Sequence, residues 1–260
     1  MSAAVVARIV RAETVRTAGR SRLWTVLIPA AVAVPAVITF AIAAAAETFA
    51  RIPGQLSVLQ VPTSNAGYWV ITVTTVVVAL AAADGQASEN RYRASEYVRL
   101  ATPRSGPVLV GRWLFYGLLG AVAAAAALVL VLLALPMLSP AVYGAVSITD
   151  PVALRLLWTV PLLAFFAAGA GVGIGALVRS SLGAAAVILL WVYAFESAAQ
   201  YLPSGAHLQR FMPVVNGVYT TGQDAVLIPP WGQNAALLYV CSLCSAIFCV
   251  AAVERTVRHG

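Results

Sequence analysis

The chain has 260 residues, 61% of them hydrophobic and 10% charged, with a mean hydropathy of +0.89. A water-soluble domain, which carries about 25% charged residues, is excluded by that balance. The formal charge of +7 comes from 16 basic residues, all arginine, against 9 acids; because the arginines flank apolar runs, they fix orientation and meet anionic headgroups, and nucleic acid is excluded as a partner.

Residues 1–22 interleave Val5, Val6, Ile9 and Val10 with Arg8, Arg11, Arg16, Arg20 and Arg22. That pattern predicts an amphipathic helix lying in the interface of the inner leaflet, retained rather than cleaved as a signal. Residues 23–253 form the transmembrane domain, with six apolar stretches near the ~20 residues a helix needs to cross hydrocarbon. The first, 23–46, contains Pro29 and Pro35, which a membrane helix tolerates when neighbours satisfy the freed carbonyls. A connector follows with Arg51, Pro53, Gly54 and Pro62, including a short interfacial helix through 56–61. The second span, 68–83, is β-branched and slightly short.

Residues 84–107 are the most polar interior segment, and 88–100 within it can form a short amphipathic helix that Pro103 ends. The third span, 108–135, is unusually long and stops at Pro136. The fourth, 153–178, carries Gly169, Gly171, Gly173 and Gly175, overlapping small-xxx-small pairs suited to close helix packing. Arg179, Ser180 and Ser181 make a tight turn into the fifth span, 182–201, whose polar exception is Glu196. Residues 202–232 mix four prolines and a tryptophan with apolar Leu208, Phe211, Met212, Val214, Val215 and Val218, the pattern of a re-entrant or interfacial hairpin. The sixth span, 233–253, leads to a cytoplasmic tail, 254–260.

Thirteen arginines fall on one side of this arrangement and only Arg51, Arg155 and Arg210 on the other, which places both termini in the cytoplasm of a cell whose plasma membrane holds the chain. The fold class is all-α and polytopic.

No nucleophile with a base, no G-x-x-x-x-G-K-[ST] loop and no H-E-x-x-H occurs in the sequence. Cys241, Cys244 and Cys249 lie in the sixth span away from His207 and His259, so they read as packing residues and no metal site is expected. The chain reads as a non-enzyme that binds no cofactor directly. Three features stand out. Residues 84–107 either take up motion from a soluble partner or form a solvated loop obeying the positive-inside rule. Glu196 is costly in hydrocarbon unless it faces water, protein or an arginine, and it reads equally as a polar group in a substrate path or as an interfacial carboxylate paired with Arg155. The glycine ladder reads as helix packing.

Three segments resemble the permeases of actinobacterial type 2 ABC exporters. RAETVRTAGRSRLWTVL, from Arg11 to Leu27, is similar to that family's N-terminal signature; ENRYRASEYVRLATPRSGPVLVGRWL, from Glu89 to Leu114, to its coupling-helix region; and GVGIGALVRSSLGAAAVILLWVYAFE, from Gly171 to Glu196, to its fourth and fifth spans. The family often has a Gly-Thr pair where this chain has Arg93, Ala94 and Ser95, and a lysine near Arg16. The resemblance implies a permease subunit exporting an amphipathic or lipid-like substrate or drug. It implies two ATPases in trans, which hold ATP and Mg, and a second permease, a copy or a relative. It also implies an ATPase-coupling set of Glu89, Arg91, Arg93, Glu96, Arg99, Thr102, Pro103 and Arg104, and a substrate path lined by Tyr68, Trp69, Tyr193, Phe195 and Glu196. The alternatives are a membrane anchoring or assembly protein without transport activity and, less favoured because intramembrane acids are few, a secondary transporter.

Overall fold

In hydrocarbon a backbone without water must bond to itself, so long apolar runs close into helices. The computed structural model describes residues 3–19, 21–52, 60–91, 105–223 and 228–259, and every regular element among them is helical. An N-terminal helix, α1 (Ala3–Thr17), precedes the first long one. Six helices among the described residues are long and apolar enough to cross a membrane: α2 (Leu23–Ala50), α3 (Thr63–Glu89), α4 (Gly106–Leu138), α5 (Pro151–Val178), α6 (Ser181–Ala198) and, after a short α7 (Pro213–Thr220), α8 (Gln233–Val257). The chain is a multi-pass membrane protein by this length and composition.

The centre of the bundle is α3, α4 and α5. In α3, 67% of the most apolar stretch is buried, whereas in α6 the figure is 17%, so α3 is a core helix and α6 a peripheral one. One apolar cluster fills the half of the bundle near Val142 and Val146, with Val70, Leu128, Leu132, Leu135, Leu156 and Val160 fully enclosed. A second fills the opposite half around Leu109, Val78, Ala82, Ala168, Val172 and Phe248. Trp113 ties α4 to its neighbours by stacking among Phe165, Phe166 and Phe248, and its Nε1 donates to the Phe165 carbonyl at 2.9 Å.

Pro35 lies inside α2 and cannot donate to the Ala31 carbonyl. Thr74 of α3 supplies the missing donor, its Oγ1 reaching Ala31 O at 2.7 Å in a fully buried position. The cost of a proline in the span is thus met by the adjacent helix.

The glycines of α5 mark where helices touch. A Cβ on Gly171 would fall on the Ala79 carbonyl of α3, one on Gly175 would stand 2.5 Å from Ala83 O, and one on Gly173 would stand 3.0 Å from Ile247 O of α8. A Cβ on Gly169 would meet the Trp113 ring of α4 at 2.6 Å. Since backbone cannot yield as a flexible side chain can, Gly171→Ala is expected to lower stability by about 1–3 kcal/mol. An unfolding titration in detergent measures it, and an unchanged midpoint would mean α3 and α5 can separate freely.

Two expectations change. The second span does not end at residue 83: its helix runs on to Arg91, because Gly85, Gln86, Ser88 and Glu89 find partners inside the protein rather than forming a separate connector. Residues 84–91 therefore extend α3, and no separate helix begins at residue 88. The expected helices over 56–61 and 88–100 fall mostly outside the described residues. Pro136 sits within the last turn of α4 rather than closing it. The turn between α5 and α6 is as expected: Arg179 takes a left-handed conformation (φ 59°) with its N–H on Gly175 O, and the Ser180 hydroxyl caps α6 by accepting from Gly183 N.

Candidate functional site

Helical periodicity aligns polar residues three or four apart on one face, and at the arginine-rich end four helices turn such faces toward each other. α1 presents Glu13 and Arg16, α3 presents Gln86 and Glu89, α4 presents Arg112 and Tyr116, and α8 presents Arg255. Arg112 is the hub. Its Nε donates to Glu13 Oε1 at 2.7 Å, Nη1 to Gln86 Oε1 at 2.9 Å and Nη2 to Glu89 Oε1 at 2.6 Å. Gln86 Nε2 in turn donates to Glu89 Oε2 at 3.2 Å, and Arg255 stands 3.6 Å from the same oxygen.

Arg16 closes the other side of the cluster. It donates from Nε to Glu13 Oε2 at 2.8 Å, from Nη1 to Ser88 Oγ at 2.9 Å, and from Nη2 to the Gly85 carbonyl and the Tyr116 hydroxyl, each at 3.1 Å. The side chains of Glu13, Glu89 and Arg112 are only 4–5% exposed. Charges so enclosed persist because each carboxylate oxygen and each guanidinium edge has a partner, and removing one partner would strand the others. Gly111 lets α1 come this close to α4, since a Cβ there would lie 2.5 Å from Ile9 Cγ2.

At the opposite end Glu196 serves a different purpose. Its carboxylate accepts from Val214 N at 2.9 Å and from Trp191 Nε1 at 3.0 Å, which puts a negative charge at the N-terminus of α7, where the backbone donors and the helix dipole favour it. Arg155 does not pair with it. Arg155 Nε donates to the Thr220 carbonyl at 2.8 Å, its Nη2 donates to Asn234 Oδ1 at 2.9 Å, and its guanidinium lies 5.8 Å from the centre of the Trp158 ring. The expected ion pair is replaced by two separate attachments of the 202–232 segment, one to α6 and one to α5. Asn216, fully buried, completes that segment by donating to Arg210 O and Met212 O while accepting from Trp231 Nε1.

The expected site residues divide as follows. Glu89 is buried in the charge cluster, where it holds the end of α3 to Arg112 of α4. Arg91 ends the described helix, and Arg93, Glu96, Arg99, Thr102, Pro103 and Arg104 lie outside the described residues. Tyr68, Tyr193 and Phe195 are exposed, and Trp69 is half-buried and stacks edge-on against Tyr68. Glu196, by contrast, is 3% exposed and turned into the protein.

Sequence reading missed Glu13, Gln86, Tyr116 and Arg255 as members of one site. The available signals were an acid inside a basic amphipathic helix, a Gln and a Glu at i, i+3 beyond an apolar run, and a lone arginine one turn into the third span. Among the described residues no group of three or more His, Cys, Asp or Glu side chains could hold a metal ion. No family model, curated protein or solved structure matches this chain.

Proposed function

We propose that the chain is the permease subunit of an ATP-driven ABC exporter in the plasma membrane, with both termini in the cytoplasm. The observation that supports it most is the position of the charge cluster. Residues 92–104 join α3 to α4, and the two helix ends that flank them, at Glu89 and Arg112, are held to each other and to α1 and α8 by buried ionic hydrogen bonds. A push on that connector would move four helices together. A solvated loop, flexible at both ends, would absorb the motion instead.

In this reading two ATPases in trans hold ATP and Mg and press on the connector through Glu96, Arg99 and their neighbours. Alternating access is then a shift between two packings that nucleotide and cargo both bias. A second permease covers the poorly packed face of α6, where Leu189, Leu190, Trp191, Tyr193 and Phe195 are 40–63% exposed. The path for an amphipathic or lipid-like cargo runs along Tyr68, Trp69, Tyr193 and Phe195. α1 lies in the interface, and the 202–232 hairpin folds back at the outer boundary, held by Glu196.

The test is co-purification. Tagged chain, expressed in the cells it comes from, is expected to retain an ATPase subunit with Walker motifs. Reversing both charges, Glu96→Arg with Arg99→Glu, is expected to reduce that retention by tenfold or more, about 1.4 kcal/mol or above, while the detergent-solubilised chain keeps its wild-type unfolding midpoint. A folded chain that retains no ATPase and supports no ATP-driven efflux would point to the anchoring role instead. Normal coupling by the double reversal would remove residues 92–104 from the transmission path.

A further inference from the structure

Beside the charge cluster lies a cavity of about 370 Å³, walled by the end of α1, the start of α2, the end of α3 and the start of α4. Its depth relative to the bilayer follows from the sequence, because Arg22 immediately precedes the first apolar span and Asp84 immediately follows the apolar run of the second. Both therefore stand where hydrocarbon gives way to headgroups. Leu23, Leu27 and Ala81 line the cavity on the hydrocarbon side.

Most polar groups of the wall are already engaged. Arg16 uses Nε, Nη1 and Nη2 on Glu13, Ser88, Gly85 and Tyr116; Arg112 uses all three nitrogens; Ser21 Oγ donates to Thr17 O, and Ser88 Oγ donates to Gly85 O. Two charges remain. Arg22, exposed, and Asp84, half-buried, both line the cavity, yet neither forms an ion pair or hydrogen bond through its side chain with the described residues, and they do not pair with each other. One cavity thus offers a cation and an anion apart from each other, above an apolar floor.

The complement of that arrangement is a zwitterion with a greasy end. We infer that the cavity binds the headgroup of a phospholipid bearing both a phosphate and a primary amine, the phosphate against Arg22, the ammonium against Asp84, and the acyl chains leaving past Leu23 and Leu27. Guanidinium suits phosphate through paired N–H donors, and a carboxylate suits an amine that has N–H groups to give. A quaternary amine lacks those donors and needs an aromatic box, whereas the one aromatic residue of the wall, Tyr116, already binds Arg16 through its hydroxyl and packs edge-on against Phe115. An anionic headgroup without an amine satisfies Arg22 and leaves Asp84 facing it. The site stands whether or not the chain transports anything, and its test involves no ATPase.

The full chain in detergent is offered an equimolar mixture of dioleoyl phosphatidylethanolamine, phosphatidylcholine and phosphatidylglycerol, and the retained lipid is read by native mass spectrometry. Phosphatidylethanolamine is expected to be favoured roughly tenfold, the worth of one charge-assisted hydrogen bond in a partly enclosed site. Asp84→Asn should bring it down to the level of phosphatidylcholine, Asp84→Glu should keep the preference, and Arg22→Gln should lower all three lipids together. Unfolding midpoints in the same detergent show that each variant is folded; if Asp84→Asn is not, the comparison of Asp84→Glu with wild type still reads the preference. Equal retention of the three lipids by the wild type, or an undiminished preference in Asp84→Asn, overturns the site. Excess soluble glycerophosphoethanolamine distinguishes the source: failure to displace the lipid supports a membrane ligand, and displacement overturns the membrane source in favour of a free headgroup.

Discussion

Arg112→Met is expected to destabilise the bundle by about 3–5 kcal/mol, the usual consequence of removing one partner from a buried ionic network. Glu13 and Glu89 would keep their charges in a site where both are about 95% enclosed, with Gln86 and the more distant Arg255 left as compensation for Glu89. α1 would also lose one of its two arginine attachments, so protease should cut between α1 and α2 sooner than in the wild type. The informative companion is the triple change Glu13→Leu, Glu89→Leu, Arg112→Met, which removes the three most enclosed charges and should recover part of the loss, because apolar groups of similar volume pack where ions were costly while Arg16 and Arg255, which are more exposed, stay charged. Unfolding titrations of both variants read the two outcomes. A single variant as stable as the wild type would mean that the cluster opens to water and holds nothing. Under the exporter reading the triple variant should also be folded but uncoupled, with ATPase activity no longer stimulated by cargo.

The second large effect concerns Glu196→Leu, expected to cost about 2–4 kcal/mol by leaving Val214 N and Trp191 Nε1, two poorly solvated donors, without their acceptor. Glu196→Gln keeps one acceptor oxygen and removes the charge from the helix N-terminus, so its loss should be smaller, about 0.5–2 kcal/mol. Arg155→Gln provides the control. Because Arg155 is attached to Thr220 and Asn234 rather than to Glu196, the effects of the Arg155 and Glu196 changes should add within about 0.5 kcal/mol. A coupling energy above roughly 1 kcal/mol in that double-mutant cycle would restore the ion pair expected from sequence. With Trp158, whose ring lies beside Arg155, replaced by phenylalanine, tryptophan fluorescence should respond to Glu196→Leu through Trp191 and not to Arg155→Gln.

These variants show where reading the chain succeeds and where it stops. Pro35 announced a freed carbonyl, but nothing in the local sequence named Thr74 as the donor that reaches it, 43 positions away. The glycine run announced close packing, and the structure set the partners: α3 for Gly171 and Gly175, α8 for Gly173 and α4 for Gly169. Glu89 belongs to a polar segment that reads, from sequence, as either a coupling element or a solvated loop. Its burial depends on Arg112, which opens an apolar span 23 positions later, and on Arg255, near the far end of the chain.

Span number, helix class and the uneven distribution of arginine were legible because each is a property of consecutive residues: an apolar run of sufficient length must hydrogen-bond to itself, and the connectors carry their charges in plain order. Where the second span ends, which acid meets which base and which helix face stays bare were not. A charged residue beyond an apolar run reads the same whether water or a distant arginine satisfies it, since the pairing depends on how helices far apart in sequence are brought together. Packing decided those points here, by enclosing Glu13, Gln86, Glu89 and Arg112 in one cluster, turning Glu196 onto α7, and leaving the aromatic side of α6 uncovered.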